Sequence, residues 1–383
     1  MNCLNQKLGI IGGGQLGKMM ILEAKKMGLH VTILDPTKDC PASSIADEHI
    51  VANFNDREAL LKLANSTDVL TYEFEHIDYL YLMELEKNNY KVYPTPTSLK
   101  IIQNKFTQKV ALKENNILVP EFRQVESVED IKKIGKEFSY PMLLKTCTGG
   151  YDGKGNFVIK SEEQVEEGFN ALNNGAMLMV EKFVDFEMEL SVLACGGLLD
   201  EIKIYPVAHN IHIDNILHKT IVPAKISEKS EQKAIDIAHE IIKIFKGVGM
   251  FCVEFFITSS GEVIVNEIAP RPHNSGHYTI EGCITSQFEN HVRAVLNMPL
   301  GSTQLLKPSV MMNLLGEENY KGDAIVEGVS EALKIQNSFL HIYGKKQTVP
   351  KRKMGHITCI GDNLEDANKN ADKVFNFIKI ISE

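Results

Sequence analysis

The first 35 residues constrain the fold more than any other part of the sequence. A short apolar run at 8–11 is followed by the glycine turn 12–17, after which apolar residues recur at helical spacing. Gly28 is placed to end that helix, and a second apolar run covers 31–35. Strand, glycine turn, helix and strand form one βαβ unit. Further helix and strand patterns over roughly the first 95 residues predict a small, doubly wound, Rossmann-like domain.

The same turn has the spacing of a dinucleotide-binding motif. Gly12, Gly14 and Gly17 follow a strand and open a helix, and Asp35 stands 18 residues after Gly17. Amides at a helix N-terminus bind phosphate and a carboxylate at this distance binds ribose, so an NAD-dependent dehydrogenase is one interpretation. The alternative is that the glycines only permit a tight turn and close packing of the helix. The motif alone does not decide between the two.

Composition and charge exclude several classes of protein. The 383 residues are 44% hydrophobic and 24% charged, and the formal net charge is −9. The apolar content excludes a disordered chain, and the acidic balance argues against nucleic acid as a partner. No apolar run approaches the roughly 20 residues that span a bilayer, and no signal-peptide pattern precedes the first strand. Seven widely spaced cysteines without a CxxC pair indicate reduced thiols, so we expect a cytoplasmic protein with no membrane partner.

A second glycine-rich segment covers residues 149–155 and has four glycines in seven positions. Lys154 lies within it and Lys145 shortly before it. Glycine lets backbone N–H groups approach phosphate oxygens and lysine adds compact positive charge, so the segment is typical of a cover over a polyphosphate. It is not a Walker P-loop, because GxxxxGK[ST] is absent. A flexible hairpin loop without a ligand is the alternative.

Two glutamates flank a predicted hairpin. Glu254 lies six residues before Ser260 and Glu267 six residues after Gly261, so a symmetric hairpin pairs them on one face. Their Cβ atoms would be roughly 4.5–5.5 Å apart, where two carboxylates repel unless a cation lies between them. Hard oxygen ligands beside phosphates favour Mg²⁺. The alternative, two exposed glutamates, is less favoured because both flanking sequences are strongly apolar.

Arg271, His273 and Asn274 directly follow the second strand of this hairpin. The planar guanidinium of an arginine suits carbonate or phosphate, and the crowding of polar groups beside a predicted metal carboxylate indicates an anion and acyl-transfer site. A polar surface loop is the alternative.

Basic residues cluster at 345–346 and 351–353 in this acidic chain. Such a cluster is either a phosphate-monoester site or a solvated run of charge, and the sequence leaves both open. A ligase that activates an acid with phosphate accounts for the glycine-rich segment, the glutamates, the arginine loop and this cluster. A dehydrogenase leaves all four without a role.

Together these motifs resemble those of the N5-carboxyaminoimidazole ribonucleotide synthetase family, which belongs to the ATP-grasp superfamily. The resemblance is carried by residues 12–17, Lys145, 148–155, 181–184, 209–212, 266–277 and 308–313. It covers nearly the whole chain, and 149–155 and 267–277 are its most specific segments.

The resemblance implies a fold of mixed α/β and α+β class with three domains. A Rossmann-like domain at 1–97 would precede an ATP-grasp domain at 98–300, which clamps ATP between two α+β halves. A small β-rich domain would occupy 301–383. Prolines at 94 and 96 mark a linker before the second domain, and a basic amphipathic stretch follows from 98 to 115.

The activity implied is that of a C–N bond-forming ligase of purine biosynthesis. It would convert ATP, bicarbonate and 5-aminoimidazole ribonucleotide into the N5-carboxylated ribonucleotide, ADP and phosphate. Bicarbonate would attack the γ-phosphoryl group to give carboxyphosphate. The exocyclic amine of the acceptor would then take the carboxyl group, or the CO₂ released from it. Members of the family are typically homodimers.

The resemblance also implies roles for individual residues. ATP would be bound by Lys105, Lys145, Gly150, Tyr151, Asp152, Gly153, Lys154, Gly155, Asn156, Glu181, Lys182, Phe183, Val184, Glu189, His212, Asn266 and Glu267. Within this set, main-chain groups of 181–184 would contact adenine and Glu189 the ribose hydroxyls. Glu254 and Glu267 would hold Mg²⁺, with Mn²⁺ as an alternative.

The remaining roles concern the two other substrates. Arg271, His273 and Asn274 would contact bicarbonate or carboxyphosphate, and Asp152 would orient or deprotonate the acceptor amine. The acceptor would be bound by Gln15, Glu73, Lys345, Arg352 and Lys353.

Two positions depart from the patterns of relatives. Ala269 stands where many ATP-grasp enzymes have an asparagine ligand for a second magnesium, and Lys105 stands where some relatives have arginine. The formate-dependent glycinamide ribonucleotide transformylase is a rival within the superfamily, and an NAD-dependent dehydrogenase is a more distant one. A catalytically inactive nucleotide-binding regulator is disfavoured because the other charged positions are present.

Overall fold

The computed structural model of the chain describes residues 5–150 and 154–383. Its N-terminal elements are β1 (Lys7–Ile11), α1 (Gln15–Lys26), β2 (His30–Leu34), β3 (Glu48–Ile50), α2 (Arg57–Ser66), β4 (Val69–Tyr72) and α3 (Tyr79–Lys87). The strands form one parallel sheet in the order β3-β2-β1-β4. Apolar side chains of β1 are buried on both faces, because α1 packs on one side and α2 and α3 on the other. The predicted Rossmann-like domain is confirmed.

Capping residues set several helix ends, and one of them is the predicted end of α1 at Gly28. Gly28 follows the last turn of α1 with a φ of +71°, a left-handed conformation that suits glycine. The Asp56 side chain accepts hydrogen bonds from the amides of Glu58 and Ala59 at the start of α2.

No helix within the described ranges is long and apolar enough to cross a membrane.

The segment after the first sheet corrects two expectations. Pro96 is not part of a linker but opens α4 (Pro96–Ile102), where the Thr95 side chain caps the helix and proline suits the first turn. The predicted amphipathic stretch from 98 to 115 is two helices, because Asn104 caps the start of α5 (Lys105–Glu114). Helix α4 crosses the predicted boundary between residues 97 and 98, and the domain boundaries stay predictions.

A second, antiparallel sheet carries the glycine-rich segment. Its elements are β5 (Phe122–Val125), α6 (Val128–Phe138), β6 (Met142–Thr146), β7 (Asn156–Ile159), a 3-10 turn (Glu162–Gln164), α7 (Val165–Leu172) and β8 (Leu178–Lys182). The strand order is β5-β8-β6-β7, and α6 and α7 pack on it. Lys145 on β6 pairs with Asn156 on β7, so the glycine-rich segment is the connection of a hairpin. Tyr151, Asp152 and Gly153 lie outside the described residues.

A long stretch of mixed structure follows. Its elements are β9 (Met188–Gly196), β10 (Ile202–Ile204), β11 (Ala208–Ile213), β12 (Ile216–Val222), α8 (Glu228–Ile244), β13 (Gly249–Ile257), β14 (Val263–Ala269), a 3-10 turn (Asn274–Gly276), α9 (Thr279–Gly282) and α10 (Gln287–Val295). The hairpin β13–β14 is the predicted one. Helices α8 and α5 pack against β9 and β13 in one apolar core.

The C-terminal elements are β15 (Ser309–Leu315), β16 (Gly322–Glu327), α11 (Val329–Ala332), β17 (Ser338–Ile342), β18 (Gln347–Thr348), β19 (Lys353–Ile360), α12 (Leu364–Phe377) and β20 (Lys379–Ser382). Strands β16, β18 and β20 form a three-stranded sheet in the order β18-β16-β20. Helix α12 packs on β15 and β19 through a core that includes Val310, Ile357 and Val374.

One large sheet joins the last two parts of the chain. In the described residues, eight of its nine strands follow the order β14-β13-β9-β11-β12-β15-β19-β17, and the ninth, β10, pairs with β9 beside this path. Strand β12 pairs with β15 from Lys219 opposite Met312 to Val222 opposite Ser309. The C-terminal strands β15, β17 and β19 therefore extend the sheet that contains the glutamate hairpin, and they do not form a separate layer.

The glycine turn after β1 is shaped around Glu73, which follows β4. Gly12 has a φ of +108°, and a Cβ atom there would lie 2.4 Å from Glu73 Cγ. Gly28 also has a positive φ, but nothing lies within 4 Å of the position where its Cβ would be. The two glycines thus share a backbone constraint and differ in the contact with Glu73.

We expect Gly12→Ala to lower the free energy of unfolding by more than the roughly 1–3 kcal/mol that strained backbone costs, because Glu73 must also be displaced. Gly28→Ala is the matched control, with an expected loss of about 1–2 kcal/mol. Urea denaturation of both variants measures the difference. Equal losses would contradict a requirement for glycine at the Glu73 contact.

Candidate active site

A cavity of about 980 Å³ lies where the N-terminal sheet, the large sheet and the C-terminal strands meet. Residues from all of these parts line it. The predicted site residues among them are Gln15, Glu73, Lys105, Gly150, Lys154, Asn156, Glu189, His212, Glu254, Asn266, Glu267, Arg271, His273, Asn274, Lys345 and Lys353. The fold thus brings residues more than 300 positions apart in sequence to a single cavity.

Other predicted residues do not line the cavity as the described residues define it: Lys145, Gly155, Glu181, Lys182, Phe183, Val184 and Arg352. Lys145 and Glu181 are buried beside the cavity. Lys182 is exposed and its ammonium lies 3.1 Å from the Glu121 carboxylate. The predictions on Tyr151, Asp152 and Gly153 fall outside the described residues.

The two glutamates of the hairpin face each other. Glu254 on β13 is directly opposite Glu267 on β14, so the predicted pairing is confirmed. The reason given for it, a symmetric hairpin, is wrong. Nearer the turn Ile257 pairs with Val263, and the register shifts by one residue because Asn266 forms a β-bulge. Without this bulge, Glu267 would point to the other face of the strand.

The surroundings of the pair compensate only part of its charge. The Lys105 ammonium forms an ion pair with Glu267. Burial raises the pKa of Glu254 to about 7, and the charge of Glu267 acts in the same direction while His212 opposes it. The buried Asn266 Oδ1 has no hydrogen-bond partner among the described residues. Two carboxylates and this amide oxygen are the types of ligand that hard cations prefer.

Three charged side chains are buried next to this hairpin. Glu181 lies 2.8 Å from the Lys145 ammonium and 3.2 Å from that of Lys109. Lys109 also donates to the main-chain oxygen of Asn266, at 3.0 Å. Burial lowers the pKa of Lys109 to about 8, although Glu181 acts in the opposite direction. Two lysines share one carboxylate, so this side of the cavity attracts anions.

A histidine and a glutamate meet on neighbouring strands at the other side of the hairpin. Glu189 Oε2 accepts a hydrogen bond from His212 Nδ1 at 2.7 Å. Burial acts to lower the pKa of His212, but the hydrogen bond and charge of Glu189 outweigh it and the pKa is raised. Phe186, which also lines the cavity, stacks on Phe256 with ring centroids 4.5 Å apart.

Arg271 is held by a carboxylate that the sequence did not single out. Its Nε and Nη2 donate to the two oxygens of Glu75, at 2.5 and 3.1 Å. Nη1 donates to Pro272 O at 3.2 Å. Burial acts to raise the pKa of Glu75, but the guanidinium outweighs it and lowers that pKa to about 2. The pair is therefore fully ionised at neutral pH.

His273 and Asn274 lie beside Arg271 and differ in their hydrogen bonding. His273 Nδ1 lies 2.8 Å from Ser275 Oγ, and its Nε2 is 3.6 Å from Glu254 Oε1. Burial, together with the charge of Arg271, lowers the pKa of His273 well below its usual range, so the ring is neutral. The buried Asn274 side chain has no hydrogen-bond partner for either polar atom within the described ranges. An amide left open in this way is suited to a polar ligand.

The glycine turn does not offer its amides to a dinucleotide. Glu73 accepts hydrogen bonds from the amides of Gly14 and Gly17, the latter at 2.7 Å. Asp35 accepts one from Gly13 at 2.8 Å. A carboxylate thus occupies the helix N-terminus where a pyrophosphate would bind, and the predicted ribose ligand is engaged with the turn itself. The glycines serve close packing, which corrects the dehydrogenase interpretation.

The basic cluster is only partly at the cavity. The Lys345 ammonium donates to Gln15 Oε1 at 2.7 Å and to the main-chain oxygen of Lys353 at 2.6 Å. Both lysines line the cavity. Arg352, just before β19, is exposed and donates to Gln347 O at 2.7 Å.

Sequence reasoning missed Glu75 and Lys109. Glu75 stands two residues after Glu73, at the carboxyl end of a parallel strand, where ligand-contacting residues of α/β sheets collect. Lys109 is one helical turn after Lys105, so both point to the same side of α5. These spacings indicate that both residues face the site, but they do not indicate that Glu75 pairs with Arg271.

Three family sequence models match the chain. The ribonucleotide synthetase preATP-grasp domain matches residues 5–103, the ATP-grasp domain 110–288, and the phosphoribosylaminoimidazole carboxylase C-terminal domain 309–370.

Individual proteins match over nearly the full length. N5-carboxyaminoimidazole ribonucleotide synthase of Bacillus subtilis is 48% identical over 352 residues, which cover 92% of this chain and 90% of that protein. The crystal structure of the synthetase from Thermotoga maritima is 47% identical with a TM-score of 0.90, covering 99% of this chain and 100% of that one. The Aspergillus clavatus synthase, solved with ADP and 5-aminoimidazole ribonucleotide, is 35% identical with a TM-score of 0.91 and coverages of 98% and 99%.

The sequence identity, the shared fold and the family matches in three parts of the chain all indicate the same family. The chain belongs to the N5-carboxyaminoimidazole ribonucleotide synthase family of ATP-grasp ligases.

Proposed function

We propose that this protein uses ATP and bicarbonate to carboxylate the exocyclic amine of 5-aminoimidazole ribonucleotide, forming the N5-carboxylated ribonucleotide, ADP and phosphate in purine biosynthesis. One observation carries the proposal. The carboxylate pair Glu254–Glu267, the guanidinium of Arg271 and the lysines 345 and 353 all line the same cavity. The proposed sites for a cation, an anion and a phosphate would thus lie within reach of one another.

ATP would bind with its phosphates between the glycine-rich hairpin and the buried lysines. Lys105 and Lys145 would supply positive charge to the phosphates, and residues 150–156 would cover them. The chain leaving β8 at residues 181–184 is the candidate for adenine contacts. Glu189, held by His212, would accept hydrogen bonds from the ribose hydroxyls.

Magnesium fits the hairpin. Glu254 and Glu267 face each other at the distance of a cross-strand pair, and Asn266 Oδ1 is buried without a partner among the described residues. Mg²⁺ typically binds one or two carboxylates and completes its coordination with phosphate oxygens and water. A bound ion would neutralise charge on the transferring phosphoryl group. Ala269 supplies no ligand for a second ion.

Bicarbonate would bind between Arg271 and Asn274. Two of the five N–H groups of Arg271 have no acceptor in the described part of the chain, and both polar atoms of Asn274 are open. Neutral His273 can donate a hydrogen bond without adding charge. A bicarbonate oxygen would attack the γ-phosphorus, the bond to ADP would break, and carboxyphosphate would form.

The acceptor would bind at the N-terminal and C-terminal sides of the cavity. Lys345 and Lys353 are the candidates for its phosphate, and Gln15 and Glu73 for its base and ribose. The amine would attack the carboxyl carbon while the bond to phosphate breaks, and Asp152 is the candidate to take the amine proton. Arg352 is the weakest of the predicted contacts, since it is exposed.

Three further expectations belong to this proposal. The domain boundaries would lie near residues 97 and 300, the protein would form a homodimer, and it would act in the cytoplasm. All three expectations rest on the membership of the chain in this family.

The direct test is ADP release from Mg-ATP with and without bicarbonate and 5-aminoimidazole ribonucleotide. We expect strong stimulation that requires both. Stimulation by glycinamide ribonucleotide with formate, and none by the aminoimidazole, would contradict the proposal.

We expect Glu267→Gln to lower kcat at least about 100-fold, because even groups that contact a metal only indirectly cost about 10–100-fold when removed. The melting temperature should change little, since the substitution removes charge and no core volume. Glu262→Gln, on the exposed end of the same hairpin, is the control and should keep full activity. Near-normal turnover by a folded Glu267→Gln variant would contradict the metal assignment.

We expect Lys353→Ala to raise the KM for the acceptor about 10-fold, the scale of one charged hydrogen bond, while the KM for ATP stays within about 2-fold. Lys346→Ala is the control, because Lys346 is exposed and its ammonium lies 2.7 Å from Asp39. Steady-state kinetics with each substrate varied in turn make the measurement. Equal changes in both KM values would count against a phosphate site at Lys353.

A further inference from the structure

The ion pair between Glu75 and Arg271 joins two parts of the chain across the cavity. Glu75 follows β4 of the N-terminal sheet, and Arg271 follows β14 of the large sheet. The contact is bidentate, with N–O distances of 2.5 and 3.1 Å, and both residues line the cavity. Paired hydrogen bonds between a carboxylate and a guanidinium fix the plane of the guanidinium as well as its position.

Both partners are themselves held. The Gln103 amide donates to the main-chain oxygens of Glu75 and Ile77, at 2.7 and 3.1 Å, and so fixes the turn after β4. On the other side, Arg271 donates to Pro272 O at 3.2 Å. Three N–H groups of the guanidinium are thus engaged, and the other two have no acceptor among residues 5–150 and 154–383.

Arg271 has a competing attraction close by. Burial acts to lower the pKa of Arg271, and the carboxylate of Glu75 raises it. The carboxylate of Glu267 is near enough to raise this pKa as well, by a smaller amount than Glu75. An arginine without a fixed partner would turn toward Glu267, where it would compete with a cation and withdraw from the anion. The two-point contact with Glu75 prevents this rotation.

We propose that Glu75 is a positioning residue for bicarbonate: it holds the Arg271 guanidinium so that its two remaining N–H groups are available to the anion. The inference rests on the function proposed above and deepens it. The bicarbonate site would then be built from two parts of the chain. The N-terminal part, which would hold the acceptor, supplies Glu75, and Glu75 orients the arginine that would bind bicarbonate.

The test is Glu75→Gln, which keeps the size of the side chain and removes its charge. We expect the KM for bicarbonate to rise about 10-fold, the scale of a charged hydrogen bond, with the KM for ATP within about 2-fold. Glu75→Asp keeps the charge on a shorter side chain, so its KM for bicarbonate should lie between that of the wild-type protein and that of Glu75→Gln. It serves as the second variant if Glu75→Gln does not fold.

Thr71→Val is the matched control for docking of the two parts. Thr71 lies on β4, four residues before Glu75, and its buried hydroxyl is 2.7 Å from His291 Nε2 on α10. It joins the same two parts of the chain but does not line the cavity. We expect a lower melting temperature and an unchanged KM for bicarbonate.

A double-mutant cycle with Arg271→Lys separates positioning from general structure. If Glu75 acts through Arg271, Glu75→Gln should add less than about 2-fold to the bicarbonate KM of Arg271→Lys. Additive effects would overturn the inference, and so would an unchanged or lowered bicarbonate KM in Glu75→Gln. The inference would also be overturned if Glu75→Gln raised the KM for bicarbonate and the KM for ATP equally, and if Thr71→Val raised both to the same extent. Loss of bicarbonate dependence in the wild-type protein would overturn the proposed function and this inference together.

Discussion

Two carboxylates that face each other in an apolar hairpin repel, and the arrangement of the cavity is organised around that repulsion. The bulge at Asn266 turns Glu267 toward Glu254. Lys105 compensates one charge, and Lys109 holds the main-chain oxygen of the bulge. A hairpin without the bulge would be simpler to form but would direct one carboxylate away. The repulsion between the two carboxylates in the protein alone is therefore what a bound cation would relieve.

The glycine turn illustrates how one local pattern can serve two purposes. In a dinucleotide-binding domain, the amides at the start of the first helix bind a phosphate of the ligand. Here Glu73 accepts from Gly14 and Gly17, and the protein supplies its own anion from the end of β4. A Cβ at Gly12 would collide with that side chain. Glycine spacing predicts that an anion lies at the helix start, and it does not tell whether the anion is a ligand or a side chain.

Local patterns in the sequence predicted local structure well. Strands β1 and β2 begin and end within one residue of the apolar runs at 8–11 and 31–35, because apolar periodicity and turn residues define them. The helix break at Asn104 was missed, since a capping residue inside an amphipathic pattern also fits a continuous helix. Glu75 was missed for a different reason. Its partner Arg271 is 196 positions away, and such pairings follow from tertiary packing that single-sequence patterns do not encode.

The large sheet has a consequence for how the chain can be divided. Strands β15, β19 and β17 continue from β12 by backbone hydrogen bonds. A chain ended near residue 300 would leave the N–H and C=O groups of β12 without partners along a bare edge, and such edges recruit strands from other molecules. The last third of the large sheet is therefore a protective border as well as a source of lysines for the cavity. Grafting this C-terminal part onto another ATP-grasp core would require a matching strand register and not merely a compatible linker.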